Sequence, residues 1–318
     1  MILLTGASGF LGGHLLRRLL AAGDAVRCLS RPGSPGTAWL GEQGVEVALG
    51  HLLDPNALAR SCRGVRQIVH LAAPVREVRD AAVEAFHRQG TQNLIEAARA
   101  ARVERFVMAS PLGAAPSARL PFLRSRGMAE QQVRDSGLPY VLLQSSLMFG
   151  VGDRLLDGLI RILKRTGLVI LPGTGRTLLQ PIWVGDVVSC ILHTLHDERC
   201  VDRTMPIGGP QHLSYEEIAD QVGKMMNLPR VKLHLSRRSL GWTVRVLETF
   251  GQHLFLGYRH FELLDVGTVT ALDVVPRSFG FHPMPLIEGI AYQLTMASVP
   301  GTVRPSSAER GTKSRPRR

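Results

Sequence analysis

The chain has 318 residues, 45% of them hydrophobic, with a formal net charge of +12 and a mean hydropathy of +0.07. That is enough apolar material for a full core in one large domain or two lobes, and no run approaches the ~20 uninterrupted apolar residues that a membrane span requires. Cys28, Cys62, Cys190 and Cys200 are scattered without paired metal spacing, which fits a reducing compartment, and with no charged leader ahead of the first apolar run the sequence predicts a cytoplasmic protein.

The chain opens on an apolar strand, Met1 to Thr5, that runs into Gly6-Ala7-Ser8-Gly9-Phe10-Leu11-Gly12-Gly13. A helical pattern follows at once, with Leu15, Leu16, Leu19 and Leu20 set against Arg17 and Arg18. Strand, glycine triplet and amphipathic helix in this order form the context in which such a loop binds a dinucleotide. Gly6 permits the tight turn, Gly9 lets a pyrophosphate approach the backbone, and Gly12 lets the helix pack close to the strand. The anion then meets unpaired amides at the positive end of the helix, which makes Gly6, Ser8, Gly9, Phe10, Leu11 and Gly12 the expected phosphate loop.

Further short apolar runs alternate with helical patterns: Ala25–Leu29, Val45–Leu49, Gln67–Leu71, Arg105–Ala109 and Tyr140–Leu143 read as strands. A long helix is expected over about Ala81–Ala101 and another over about Phe122–Ser136. Strict alternation predicts a Rossmann α/β architecture, a doubly wound parallel sheet covered on both faces, with a smaller, mostly helical C-terminal lobe. After Gly150 the rhythm loosens. Asp153–Lys164 reads as a helix, Gln180–Val184 leads into a helix over Asp186–His196 that returns to the main sheet, and Ser214 with Glu217 makes a capping box for a helix through Met226. The expected organisation is therefore a nucleotide-binding domain over 1–150 (with 178–197 returning to its sheet), a substrate or partner lobe over 151–299, and a basic, disordered tail over 300–318.

That tail carries Arg304, Arg310, Lys313, Arg315, Arg317 and Arg318 against Glu309 alone, among Pro300, Pro305, Ser306, Ser307 and Pro316. It reads either as a solubilising end or as a contact for an anionic surface. In Ser236–Arg259, Trp242, Val246, Phe250 and Leu254 share one helix face, which is either core or a surface that leans on a membrane or partner. No interleaved aromatics or DNA-binding module point to nucleic acid. No metal constellation is present.

The cofactor choice is read at the end of the second strand. An acid there would take the ribose hydroxyls of NAD; here the slot holds Ser30-Arg31. Arginine attracts a 2′-phosphate and stacks beside adenine, so NADP(H) is the favoured carrier and NAD(H) the alternative. Leu52, Leu71, Ala72 and Ala73, which follow the third and fourth strands, complete this part of the expected cofactor-binding set.

With these residues in hand the chain resembles the short-chain dehydrogenase/reductase superfamily, in its extended and atypical, NAD-dependent epimerase/dehydratase-like branch. The resemblance runs from Met1 to about Leu294. It rests on Thr5-Gly6-Ala7-Ser8-Gly9-Phe10-Leu11-Gly12, on His70-Leu71-Ala72-Ala73-Pro74 at the nicotinamide side, on Gly90-Thr91-Gln92-Asn93-Leu94 in the long helix, and on Gln180-Pro181-Ile182-Trp183-Val184-Gly185-Asp186-Val187. Gly208-Gly209-Pro210 before Leu213-Ser214-Tyr215, and Gly280-Phe281-His282-Pro283-Met284-Pro285-Leu286, are similar to the subgroup related to the nucleotide-binding accessory subunit of respiratory complex I.

The superfamily's chemistry rests on a Ser, a Tyr and a Lys four residues after the Tyr. Carried onto this sequence, the resemblance puts Pro111 in the serine slot, with Ser110 one place early, Phe122 in the tyrosine slot and Arg126 in the lysine slot. His51 stands where many relatives carry an adenine-side aspartate, and Gln144 where they carry an arginine. Phenylalanine cannot titrate and proline has no hydroxyl, while a guanidinium still donates to ribose hydroxyls. Losing a positioned general acid removes ~10²–10⁴-fold of rate. His70 and His87 lie nearest the expected cleft as replacement acids, although a lone histidine is more often structural.

Two functions follow from the resemblance. One is an NAD(P)H-binding protein that lacks the standard catalytic set and serves in assembly, scaffolding or sensing, at a membrane-associated complex or peripheral to the inner membrane. The other is an NAD(P)-dependent oxidoreductase or epimerase/dehydratase with a non-standard proton donor.

Overall fold

The computed structural model describes residues 1–73, 80–153, 155–236, 239, 264 and 266–297. The first part alternates strand and helix: β1 (Ile2–Thr5), α1 (Phe10–Ala21), β2 (Val26–Ser30), α2 (Pro35–Glu42), β3 (Glu46–Leu49), α3 (Pro55–Ser61), β4 (Gln67–His70), α4 (Asp80–Ala100), β5 (Arg105–Pro111), α5 (Pro121–Arg134) and β6 (Tyr140–Ser145). Then come β7 (Met148–Phe149), α6 (Leu155–Thr166), β8 (Leu168–Pro172), β9 (Leu178–Leu179), β10 (Ile182–Trp183), α7 (Val184–His196) and β11 (Arg203–Ile207). The remaining described elements are β12 (Leu213–Ser214), α8 (Tyr215–Met225), β13 (Val231–Leu235), α9 (Val274–Phe279) and α10 (Leu286–Ala297).

Seven strands form one sheet in the order β11-β6-β5-β4-β1-β2-β3, every pair parallel. All four residues of β1 are buried, as expected of a central strand covered on both faces. Side chains alternate between two cores. Leu4, Val69, Val107 and Val141 pack with Leu15, Leu16 and Leu19 of α1 and with α7. Leu3, Ile68, Phe106, Met108 and Leu142 pack with Leu94 and Ala98 of α4 and Ala129 and Val133 of α5. From β1 the order runs outward through β2 and β3, and from β4 outward through β5 and β6. The reversal between β1 and β4 opens a crevice at their carboxyl ends, the place where such sheets bind ligands.

The expected strands and helices of the first 150 residues are all present, with ends shifted by a few residues. The helix expected from Asp153 is described from Leu155, and the Asp153 carboxylate accepts from the Leu156 amide in its first turn at 2.7 Å and from the preceding Gly150 amide at 3.2 Å. The return to the main sheet is made by α7 and completed by β11, a strand that the sequence reading did not mark. Pro206 interrupts its pattern, but β11 lies at the sheet edge and pairs only with β6, where a proline is tolerated. Ser214 and Glu217 form the expected reciprocal capping box. Outside the large sheet, the described residues after β6 also form α6, α8, α9 and α10 with small two-stranded sheets. The Trp242 stripe and the 300–318 tail lie outside the described residues. Among the described residues no helix is long and apolar enough to cross a membrane.

Candidate functional site

The expected phosphate loop follows the end of β1. Gly6 adopts φ +75°, and a Cβ there would lie 2.7 Å from the Leu71 carbonyl carbon and 2.8 Å from the Ala72 nitrogen. A Cβ on Gly12 would overlap the Gly6 carbonyl oxygen. Two of the three glycines are thus required by backbone packing alone. Gly9 is exposed and precedes α1 in an extended conformation with no side-chain cap, which leaves the first-turn amides open to an outside acceptor. Ser8 and Phe10 are half-buried at the rim, and Leu11 is buried beneath. An uncapped helix start beside a cradle that no side chain could enter fits a bound anion.

Across the crevice, the Leu71 amide donates to the Thr5 carbonyl oxygen at 3.1 Å and the Ala72 amide to Thr5 Oγ1 at 3.3 Å. Thr5 Oγ1 also lies 2.7 Å from His70 Nδ1, and Thr91 Oγ1 lies 3.5 Å from the other ring nitrogen. His70 is fully buried, and desolvation with the nearby Arg126 charge pushes it down to about 3. It is neutral at ordinary pH and supports the turn, so it has no imidazolium proton to give. Leu71 and Ala72 are half-buried and Ala73 is exposed, which leaves this segment facing the crevice.

At the other end, Ser30 is buried and Arg31 exposed just beyond β2. Thr37 Oγ1 lies 2.8 Å from Ser30 Oγ and 3.0 Å from Ser34 Oγ, and donates to the Arg31 carbonyl oxygen at 2.9 Å. These hydroxyls fix the turn that carries the guanidinium, which makes no ion pair among the described residues. Leu52 is buried, and its carbonyl oxygen accepts from Asn93 Nδ2 at 3.0 Å. A Cβ on Gly90 would touch the Leu52 side chain at 3.0 Å, so the Gly90-Thr91-Gln92-Asn93 stretch of α4 holds this segment in place.

Pro111, Phe122 and Arg126, the expected slots of the catalytic set, lie on β5 and α5. Pro111 ends the strand, and Phe122 sits in the first turn of α5, its ring 5.6 Å from that of His87. Ser125 Oγ donates to the Phe122 carbonyl oxygen at 2.9 Å and lies 2.8 Å from His87 Nδ1. With the hydroxyl proton committed, the ring donates from Nδ1 and carries its lone pair on Nε2, so neutral His87 is an acceptor at that nitrogen. Arg126 is 5% exposed. Its Nη2 donates to the Ala109 carbonyl oxygen, and its Nη1 is buried with no partner among the described residues. Burial lowers its pKa to about 10, opposed by Glu130, and leaves it charged at neutral pH. Ser110 is buried with its hydroxyl equally without a partner among the described residues.

Sequence reading missed Glu130. It is fully buried, one helical turn from Arg126, and accepts from Gln144 Nε2 at 2.9 and 3.0 Å and from Arg134 Nη2 at 2.8 Å. The i, i+4 spacing of Arg126 and Glu130 was the available signal. An acidic pair of buried Asp153 and half-buried Asp157 was missed as well: Gln293 Nε2 of α10 donates to Asp157 Oδ1 at 2.8 Å and to Asp153 Oδ2 at 3.3 Å. His193, Asp197 and Cys200 bring ligand atoms within 4.8 Å of one another, but Arg199 donates to both Asp197 oxygens, which makes this an ion-pair cluster at the end of α7.

The comparisons agree with this geometry. Residues 2–208 match the model of the NAD dependent epimerase/dehydratase family. The chain is 26% identical over 260 residues to the photosystem II assembly factor Ycf39 of Cyanophora paradoxa, covering 76% of this chain and 78% of that protein. It is 27% identical over 223 residues to the mitochondrial NADH dehydrogenase (ubiquinone) 1 alpha subcomplex subunit 9 of Arabidopsis thaliana, covering 68% of this chain but only 55% of the subunit. Among solved structures, the NADPH-dependent quinone oxidoreductase QOR2 of Escherichia coli, in complex with NADPH, superposes with a TM-score of 0.74 at 19% identity, covering 92% of this chain and 100% of that one, a likeness of fold. The phosphate loop, the parallel sheet and the match over residues 2–208 together place the chain in the NAD-dependent epimerase/dehydratase family.

Proposed function

We propose that this protein binds NADP(H) in preference to NAD(H) and acts as a nucleotide-binding assembly, scaffold or sensor component, without the standard proton relay of its superfamily. The observation that carries the reading is the set Pro111, Phe122 and Arg126 beside an intact phosphate loop. Gly6, Ser8, Gly9, Phe10, Leu11 and Gly12 would hold the pyrophosphate. Ser30 and Arg31 would take the 2′-phosphate, Leu52 would flank the adenine, and Leu71, Ala72 and Ala73 would line the nicotinamide. The buried, charged and partly unpartnered guanidinium of Arg126 suits a neighbouring ribose hydroxyl. When bound, the carrier brings a hydride, but neither Phe122 nor Pro111 can supply or orient the accompanying proton. His70, held neutral, cannot replace them.

The similarity to an assembly factor and to an accessory subunit supports a role beside a larger complex, with pyridine nucleotide and a membrane-associated protein complex as partners. The test is to release the nucleotide from protein purified from cells, identify it, and then assay NADPH consumption with carbonyl, nucleotide-sugar and quinone acceptors. Bound NADP(H) with no turnover supports the reading; rapid consumption with any acceptor overturns it. A second reading, reduction of an acceptor that needs no protein acid, is favoured by the half-buried, non-titrating ring of Phe122 and by the fold shared with a quinone oxidoreductase.

A further inference from the structure

We propose a second ligand site at the opposite end of the sheet from the crevice: a cavity that takes an apolar α-amino acid as its zwitterion. The cavity measures about 280 Å3, near the lower end of the roughly 300–1,000 Å3 of small-molecule sites. Arg134, Tyr140 and Asp202 all line it. Arg134 ends α5, Tyr140 begins β6 and Asp202 immediately precedes β11, so the site lies at the amino ends of two neighbouring strands. It does not depend on what the crevice binds.

Two opposite charges share this cavity without pairing. Arg134 Nη2 donates to Glu130 Oε2 at 2.8 Å and to Thr204 Oγ1 at 3.3 Å. These bonds fix the guanidinium, while its Nε and Nη1 meet no acceptor among the described residues. Asp202 adopts φ +56°, a left-handed conformation that aspartate tolerates better than most side chains. Tyr140 holds it there: the Asp202 amide donates to the Tyr140 carbonyl oxygen at 2.7 Å, and the Tyr140 amide donates to Asp202 Oδ1 at 3.3 Å. Asp202 Oδ2 has no partner among the described residues. Most of the remaining lining is apolar, with Leu138 buried, Val201 and Tyr140 half-buried and Pro139 exposed.

A simple carboxylate would meet Arg134 but bring its charge to Asp202, and a simple amine would do the reverse. A zwitterion satisfies both. Its carboxylate accepts from Nε and Nη1, the forked geometry that a guanidinium favours, and its ammonium donates to Asp202 Oδ2. An apolar side chain then covers Leu138 and Val201. Asp202 is exposed and Arg134 half-buried, so water screens both pairs and the expected affinity is millimolar.

The experiment is saturation-transfer NMR of the full chain with leucine, N-acetylleucine and leucinamide, for wild type, Asp202→Asn and Val201→Trp. Asparagine tolerates the left-handed backbone and keeps the oxygen that accepts from the Tyr140 amide, so Asp202→Asn removes the charge alone. Arg134 is left intact, because fully buried Glu130 depends on it. Leucine is expected to bind wild type with a millimolar dissociation constant, and each blocked compound about threefold or more weakly, since each lacks one charge. Asp202→Asn is expected to weaken leucine by about threefold or more and to leave N-acetylleucine, which has no ammonium, unchanged. Val201→Trp fills the cavity and should abolish leucine binding. No leucine binding at tens of millimolar, equal binding of the three compounds, or leucine binding unchanged in either variant would overturn the site. Circular dichroism separates a folding defect from a binding one, and the three compounds on wild type decide the chemistry if a variant fails to fold.

Discussion

The Asp153–Asp157–Gln293 cluster should make this protein less stable as the pH rises from 5 to 8.5, and Asp157→Asn should remove part of that loss. Asp153 is 5% exposed. Its pKa is raised from 3.8 to about 7, first by burial and then by Asp157, against the hydrogen bonds from Leu156, Gly150 and Gln293. Asp157 is raised as well. A raised carboxyl holds its proton more tightly folded than unfolded, so its stabilising effect is full below about pH 4 and is lost as the pH climbs through about 7. The displacement is about three units at ~1.4 kcal/mol each, so about 4 kcal/mol is the ceiling. Asp157 is the second cause, and a half-buried charge is partly screened, so its removal should return about 1–2 kcal/mol at pH 8.5. For a chain of this size that is a rise of a few degrees in Tm. Asparagine keeps the oxygen that accepts from Gln293 Nε2, which limits the structural change. Thermal unfolding by circular dichroism at pH 5 and 8.5, for wild type and Asp157→Asn, is the assay. A variant that is less stable than wild type at pH 8.5, or that differs from it equally at both pH values, would refute the reasoning.

Four further outcomes are expected. Gly12→Val should weaken nucleotide binding by more than about tenfold and cost about 1–3 kcal/mol of stability through overpacking, measured by titration and urea unfolding. His70 is held below its ordinary value, so its contribution is present above about pH 6.5 and is lost as the pH falls; His70→Gln should flatten the acid side of the stability profile while lowering stability at pH 7.5 by about 1–3 kcal/mol. Arg126→Met should weaken NADPH by about tenfold and destabilise the fold by about 1–3 kcal/mol, because the buried Glu130 keeps Arg134 and Gln144 but loses the charge beside it; equal affinity in the variant would remove Arg126 from the site. Phe122→Tyr combined with Pro111→Ser should raise NADPH-dependent carbonyl reduction by about tenfold or more, toward the 10²–10⁴ that a positioned acid supplies; unchanged rates would locate the deficit elsewhere.

The parallel sheet was legible because each central strand is a continuous apolar run and each crossing helix carries its own stripe. The tight glycine turn after β1 was legible because backbone crowding at Gly6 and Gly12 demands glycine whatever is bound. β11 was not, since an edge strand that pairs on one side tolerates Pro206 and exposed Arg203. Glu130 was hidden for another reason: buried carboxylates depend on partners from β6 and α5 that only the fold brings together. The cluster around Asp153 likewise joins the start of α6 to Gln293 of the last helix, across a sequence distance that no local pattern spans. His70 and His87 read alike in sequence. Only the fold shows that burial and the Arg126 charge push His70 down to about 3, and that His87 is tied to Ser125.

The most direct test of the account is calorimetric titration of the purified, nucleotide-stripped full chain with NADPH and with NADH. The account predicts saturable binding of both, with NADPH the tighter ligand. Absence of a binding isotherm for either nucleotide at millimolar concentration would contradict it.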